Sequence, residues 1–291
     1  MSPLNQRDAA AGAKAGGDAA NNVMLRIASA AVLAPIAIGF AYIGGWLFLA
    51  LCAAAAARIL WEWMRLVADH PDRRVLLPGF AALIAALFLT GFDEPAAAAA
   101  TIVIGAALAG GTLMAPARNS VGWAVGGIFY AGIAFLGPAV LRRDPTLGFT
   151  AVLFVALTVW ATDICAYAAG RAIGGPLLWP EISPHKTWAG AMGGVLGGVA
   201  AGTMVAYASG IGALAAIGVI ALLLSLLTQV GDLFESAVKR RFGAKDASYL
   251  IPGHGGLMDR LDGFLVAGFA GLLIGLIRAG IAAPAQGLLV W

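Results

Sequence analysis

Between Asp232 and Asp262 stand Asp232, Glu235, Lys239, Arg240, Arg241, Lys245, Asp246, Asp259, Arg260 and Asp262, ten of the chain's 33 charged side chains. Five are acids and five are bases, so the segment carries no net charge. Mixed carboxylates and cations on one stretch suit a metal-nucleotide site, because the acids supply hard oxygen ligands for Mg²⁺ and the bases hold phosphate oxygens. An anchor that only obeyed the positive-inside rule would have no use for five carboxylates. On a helix, Asp232, Glu235, Ser236 and Lys239 fall at i, i+3, i+4 and i+7 and share a face, while Asp259 and Asp262 form an i, i+3 pair. The plainer alternative makes Glu235 and Lys239 a surface ion pair and Asp259 a complement to a helix N-terminus. Pro252 to Gly256, PGHGG, cannot continue a helix and lets backbone approach a ligand closely. His254 within it is either a phosphate or base contact or a turn histidine. No Ser/His/Asp relay is suggested by spacing. An attacking phosphate oxygen is already ionised at neutral pH, so a dedicated general base is optional.

A second group lies upstream in WATDICAYAAGR, where Asp163 sits about eight residues before the end of an apolar stretch. An ionisable side chain at that depth is costly, so it serves function or is paired with Arg171 or Lys186. Tyr167 lies one turn on. The connection that follows, Ile182 to Gly190, offers Ser183, Lys186 and Thr187, a cation between two hydroxyls suited to phosphate. Lys186 is equally suited to snorkelling at a membrane interface.

These residues must be positioned by a chain of 291 residues that is 61% hydrophobic and 11% charged, with a mean hydropathy of +0.89. Such a composition excludes an ordinary water-soluble fold. The net charge of +3 indicates neither a nucleic-acid-binding surface nor an acidic tail. Cys52 and Cys165 lie in apolar stretches and suggest neither zinc nor disulfide. Residues 1–23 are read as a disordered tail, and the apolar run after them is too long for a signal peptide. A membrane-crossing helix needs about 20 residues. The chain divides into about nine such stretches, near 25–43, 45–67, 75–91, 96–115, 121–140, 148–170, 188–208, 213–232 and 263–282. The expected fold is all-α and polytopic, with N-terminal membrane helices over 24–147 and a C-terminal catalytic membrane domain over 148–291. With the N-terminus cytoplasmic, Arg65, Arg73, Arg74, Arg118, Arg171, Lys186 and the Lys239 to Arg260 segment share the cytoplasmic side, and Arg142-Arg143 is the one contrary pair. Gly190, Gly194, Gly198 and Gly202 make small-xxx-small spacings whose ordinary meaning is close helix packing. A phosphate cradle is the sharper alternative, but no strand is predicted before it and no GK[ST] follows.

The stretch Ser236 to Asp262, SAVKRRFGAKDASYLIPGHGGLMDRLD, resembles the signature of the phosphatidate cytidylyltransferase (CDP-diacylglycerol synthase) family. A Ser, then Lys-Arg, Lys-Asp, His-Gly-Gly and Asp-Arg-x-Asp stand at fixed spacing. GDLFES just upstream, D-x-x-A-Y-x-x-G-R and S-P-x-K-T extend the likeness over residues 160–262; Ala189 departs from it, where the family often has a carboxylate or amide. The resemblance implies transfer of a cytidylyl group from CTP to phosphatidic acid with release of pyrophosphate. It further implies Mg²⁺ dependence, with a second cation as an option. A bacterial-type inner membrane is the expected location, with the site facing the cytoplasm, and two-fold pairing suits such a chain.

Matched by position, Asp232, Asp259 and Asp246 become metal ligands, with Asp262 as a further carboxylate, and these four with Lys239 form the implied catalytic set. Arg240, Lys245 and Arg260 become phosphate contacts, and His254, Gly255 and Gly256 nucleotide contacts. Asp163, Arg171, Ser183, Lys186, Thr187 and Ser236 complete the implied substrate-binding set. The expected architecture is a funnel open to both bilayer and cytoplasm. Two alternatives stay open: a CTP-dependent enzyme acting on another membrane lipid, and a cation or proton transporter built on Asp163, which leaves the dense motif without a role.

Overall fold

The computed structural model describes residues 32–68, 72–112, 118–244, 246–248 and 255–291; the expected tail over 1–23 lies outside them. In chain order come α1 Val32–Ile43, α2 Gly45–Val67, α3 Arg73–Gly91, α4 Pro95–Thr112, α5 Arg118–Arg142 and α6 Gly148–Ile173. A hairpin of β1 Leu177–Trp179 and β2 Ser183–Thr187 follows, then α7 Trp188–Ala208, α8 Leu214–Arg241, α9 Met258–Ala279 and the short α10 Pro284–Leu289. The nine apolar stretches fall on α1 to α9. Among the described residues, seven helices are long and apolar enough to cross a membrane, while α1 and α4 are shorter. Large side chains such as Leu196, Val219 and Ile277 point outward and exposed, which is tolerable only where lipid covers them. The protein is an integral membrane protein.

Three features differ from the sequence reading. The eighth helix does not stop near 232 but runs to Arg241, because Glu235 and Val238 continue its buried face, so Asp232 to Arg241 are helical throughout. The ninth begins at Met258, which puts Asp259 and Asp262 in its first turns. The connection after α6, read as loop, contains an antiparallel hairpin that pairs Leu177 with Thr187 and Trp179 with Ser183.

The glycine stripe of α7 does what close packing requires. Gly190, Gly194, Gly198 and Gly202 are all buried. A Cβ at Gly194 would lie 2.9 Å from the Thr162 carbonyl oxygen and 3.0 Å from the Ala166 methyl, and one at Gly190 would lie 2.8 Å from the Ala166 oxygen. The α7 backbone is thereby pressed onto α6, and Thr162 then donates to the Ser225 hydroxyl of α8 at 2.8 Å. Gly194→Leu should therefore cost about 1–3 kcal/mol through overpacking. A thermal melt in detergent checks this, and an unchanged midpoint would contradict the packing.

The exceptional Arg142-Arg143 pair has local partners at the opposite end of the bundle. Arg142 donates to the Ala41 and Tyr42 carbonyls that end α1, and Arg143 pairs with Asp93 in the turn after α3. Sidedness rules count such arginines as topological signals, whereas here they satisfy helix ends.

Candidate active site

Close approach of α8 and α9 builds the site. A Cβ at Gly231 would lie 2.7 Å from the Asp262 carbonyl oxygen and 3.2 Å from Gly263 Cα, and one at Gly263 would lie 2.6 Å from Thr228 Cγ2. Each of these glycines precedes or follows an acid, so the contact that lets the backbones touch also brings Asp232 and Asp262 to the same crossing.

The acids divide into two groups. In the first, Asp232 forms an ion pair with Lys186 and accepts from the Ser236 hydroxyl at 3.4 Å. Asp262 lies within electrostatic reach of Asp232, Asp163 and Lys186, and Asp163 within reach of Asp232, Lys186 and Arg260. Three helices and the hairpin thus contribute three carboxylates and two cations within electrostatic reach of one another.

In the second group, Glu235 is 1% exposed and lies 2.5 Å from Lys239, which also donates to Asp259 at 2.7 Å. Asp259 further accepts from the Ala247 amide at 3.0 Å and the Gly256 amide at 2.7 Å. Glu235 and Lys239 are thus an i, i+4 pair and Asp259 an acid in the first turn of a helix, but the pair is buried rather than on the surface.

The three carboxylates expected to hold a metal thus stand in different surroundings. Asp232 belongs to the Lys186 group, Asp259 has both oxygens engaged by an ammonium and amides, and Asp246 is exposed on the loop. Asp246 does flank Asp259, since a Cβ at Gly255 would lie 2.7 Å from an Asp259 oxygen and 3.6 Å from an Asp246 oxygen. Among the described residues no three His, Cys, Asp or Glu side chains converge in a ready cage.

The Thr187 hydroxyl accepts from the Gly190 amide at 3.1 Å and caps α7, while its O–H remains a donor. Arg171 donates to the Tyr167 hydroxyl at 2.9 Å, so neither it nor a direct ion pair partners Asp163 among the described residues. Ser183 is half-buried in β2, and Arg240 reaches across to the Ile182 carbonyl at 3.5 Å. Gly255 has a φ of 80°, as a non-helical approach requires. Arg260 is exposed beside the first group. Lys245 and His254 lie outside the described residues.

Glu62 on α2 was not anticipated. It is fully buried and accepts from Arg58 at 2.9 Å, the Ser248 hydroxyl at 2.7 Å, and the Leu257 and Met258 amides at 3.1 and 2.7 Å. The start of α9, 196 residues away in sequence from Glu62, is thus capped by a carboxylate from another helix. Gly256 is glycine because a Cβ there would lie 2.7 Å from a Glu62 oxygen. A lone Glu four residues after an Arg reads as a surface pair; the only hint of burial is the flanking tryptophans, Trp61 and Trp63.

Beside this loop opens a cavity of about 700 Å³ lined by Arg58, Trp61, Arg65, Phe242, Asp246 and Ser248. The guanidinium groups of Arg58 and Arg65 lie 4.5 and 4.8 Å from the Trp61 ring centre. An apolar groove of about 610 Å³ runs separately along Trp63, Trp123, Phe129, Tyr130, Ile133 and Phe234.

Such a constellation can hold phosphate anions on Lys186 and Arg260, keep carboxylates beside them for a divalent ion, and admit apolar groups from the side. Comparison with known proteins identifies the family. Residues 24–276 match a family model described as the cytidylyltransferase family. A phosphatidate cytidylyltransferase of Brucella suis is 41% identical over 261 residues, covering 89% of this chain and 95% of that protein. Proteins of the same name from Staphylococcus saprophyticus and Bacillus subtilis are 41% and 36% identical over 139 and 148 residues, about half of each chain. With a family match spanning nearly all the helices that carry the two acid groups, the chain belongs to the cytidylyltransferase family.

Proposed function

We propose that the protein transfers the cytidylyl group of CTP to phosphatidic acid, giving CDP-diacylglycerol and pyrophosphate. The observation that carries the proposal is that Asp163, Asp232 and Asp262 lie within electrostatic reach of one another and of Lys186, with Arg260 beside Asp163, on otherwise apolar spans. A carboxylate such as Asp163, set back from the end of an apolar span, is expensive unless it serves a ligand.

The phosphatidate oxygen, ionised at neutral pH, attacks the α-phosphorus of CTP. One P–O bond forms, the bond from the α-phosphorus to the bridging oxygen breaks, and pyrophosphate leaves with the electron pair. No proton need move in this step. Lys186 and Arg260 offset the charge of the two phosphates that must approach each other, and their placement on β2 and α9 fixes the angle of approach. The cavity beside Arg58 and Arg65 is of a size that accepts a nucleotide and opens onto Asp246, next to the loop that Asp259 holds. The end of the bundle bearing Arg65, Arg240 and Arg241 faces the cytoplasm, where CTP is found.

The donor set fits Mg²⁺. That ion keeps several waters and takes one or two carboxylates plus substrate phosphates, so a complete protein cage is not required. Asp232 and Asp262 would hold it, with Asp163 beside them and Lys186 released from Asp232 toward phosphate. When bound, it neutralises charge on the triphosphate and on departing pyrophosphate.

Purified protein in mixed micelles, given CTP, Mg²⁺ and a panel of lipid phosphates and alcohols, tests the proposal by mass spectrometry of the products. CDP-diacylglycerol formed from phosphatidic acid is the expected result. A nucleotidylated product from another lipid only, or ion flux without nucleotide turnover, would defeat it.

A further inference from the structure

Tyr130 is 7% exposed, yet its hydroxyl has no hydrogen-bond partner among the described residues, and neither does Oε1 of Glu235. Native folds rarely leave buried polar atoms unpaired, so a buried phenol without a partner calls for a ligand. The charged groups that act on this hydroxyl are Asp262, Glu235, Asp259 and Asp232, so acids of both groups lie within its electrostatic reach. Its ring belongs to the apolar groove, with centroids 5.0 Å from Trp63 and 6.1 Å from Phe234. Phe129 and Phe234 line the same groove and are themselves exposed on membrane-spanning helices. The groove therefore joins the lipid-facing surface to the carboxylates.

We propose that this groove seats one acyl chain of the lipid substrate and that the Tyr130 hydroxyl donates to the ester carbonyl at the root of that chain. The assignment rests on the phosphatidate reading and adds a specificity residue to it. An aliphatic occupant follows from the walls, which are almost wholly aromatic and aliphatic and open among membrane spans. A neutral ester rather than the phosphate follows from the charges. The acids that act on Tyr130 repel an anion, and Lys239, which stands among them, is already shared by Glu235 and Asp259. The lipid phosphate then falls on the Lys186 and Arg260 side, with the glycerol backbone bridging the two.

Ester-linked phosphatidic acid and its dialkyl ether analogue, which lacks the carbonyl, separate this contact from simple chain burial. The wild type should show a KM for the ester about tenfold below that for the ether, the loss of one neutral hydrogen bond in a dry site. Tyr130→Phe should raise the ester KM to the ether value and leave the ether KM, the CTP KM and the thermal midpoint in place, because only an unpaired hydroxyl is removed. Ile133→Trp, which fills the groove, should depress turnover of dioleoyl relative to dihexanoyl phosphatidic acid. A wild type that treats ester and ether alike, a Tyr130→Phe protein that still discriminates, or an Ile133→Trp protein with an unaltered chain-length ratio would overturn the assignment. Absence of any turnover of either lipid by the wild type would instead defeat the phosphatidate reading, so the two failures are distinct.

Discussion

Asp232→Asn should lower the rate of CDP-diacylglycerol formation by about 10²–10³-fold while leaving the thermal midpoint near that of wild type. Asparagine keeps the volume and the contact with Ser236, but removes the charge opposite Lys186 and the hard oxygen pair that Mg²⁺ would take. The side chain is only partly buried, so the fold depends little on it. Asp259→Asn differs in kind. It weakens the bond to Lys239 and the contacts to the Ala247 and Gly256 amides, so activity and stability should fall together. Rates and melting curves measured on both variants distinguish a reacting-centre acid from one that organises the loop. An Asp232→Asn protein that keeps more than a tenth of wild-type turnover would remove Asp232 from the centre of the mechanism.

Glu62→Ala should be among the most destabilising single changes in the protein, at about 3–5 kcal/mol, because it breaks a buried ion pair and strips the cap from α9 at one stroke. Arg58 would lose its partner, Ser248 its acceptor, and the Leu257 and Met258 amides the carboxylate they donate to. A fall in midpoint on the order of 10 °C is expected. Hydrogen exchange should accelerate at those two amides well before the rest of α9. Glu62→Gln retains one oxygen acceptor and should recover part of the midpoint. Unchanged protection at Leu257 and Met258 in the alanine variant would show that the cap contributes nothing.

Composition and periodicity were enough to place nearly every helix, because a span must satisfy its own backbone and expose apolar side chains to lipid, and both demands are written locally. The α7 glycine stripe was equally legible, since a row of absent side chains has few uses other than close packing. The concentration of charge from Asp232 to Asp262 was visible because such residues are rare in this chain. What periodicity states is which residues share a face of their own helix; it says nothing about which neighbour covers that face. Asp232 and Glu235 illustrate the limit: three residues apart, they were read as one face, yet one meets Lys186 and the other joins Lys239 beside Asp259.

By itself, then, the sequence determined that the protein lives in a membrane, and its concentration of charge directed the proposed site to the region between the last long helices. Only the tertiary structure decided which acids stand together, that Glu62 from α2 caps α9, and that Tyr130 looks into the acids from an apolar groove. The reason is physical. Those relations join residues far apart in the chain through helix crossings as close as Gly231 against Asp262 and Gly263, and the free energy of such crossings depends on the fit of both surfaces at once.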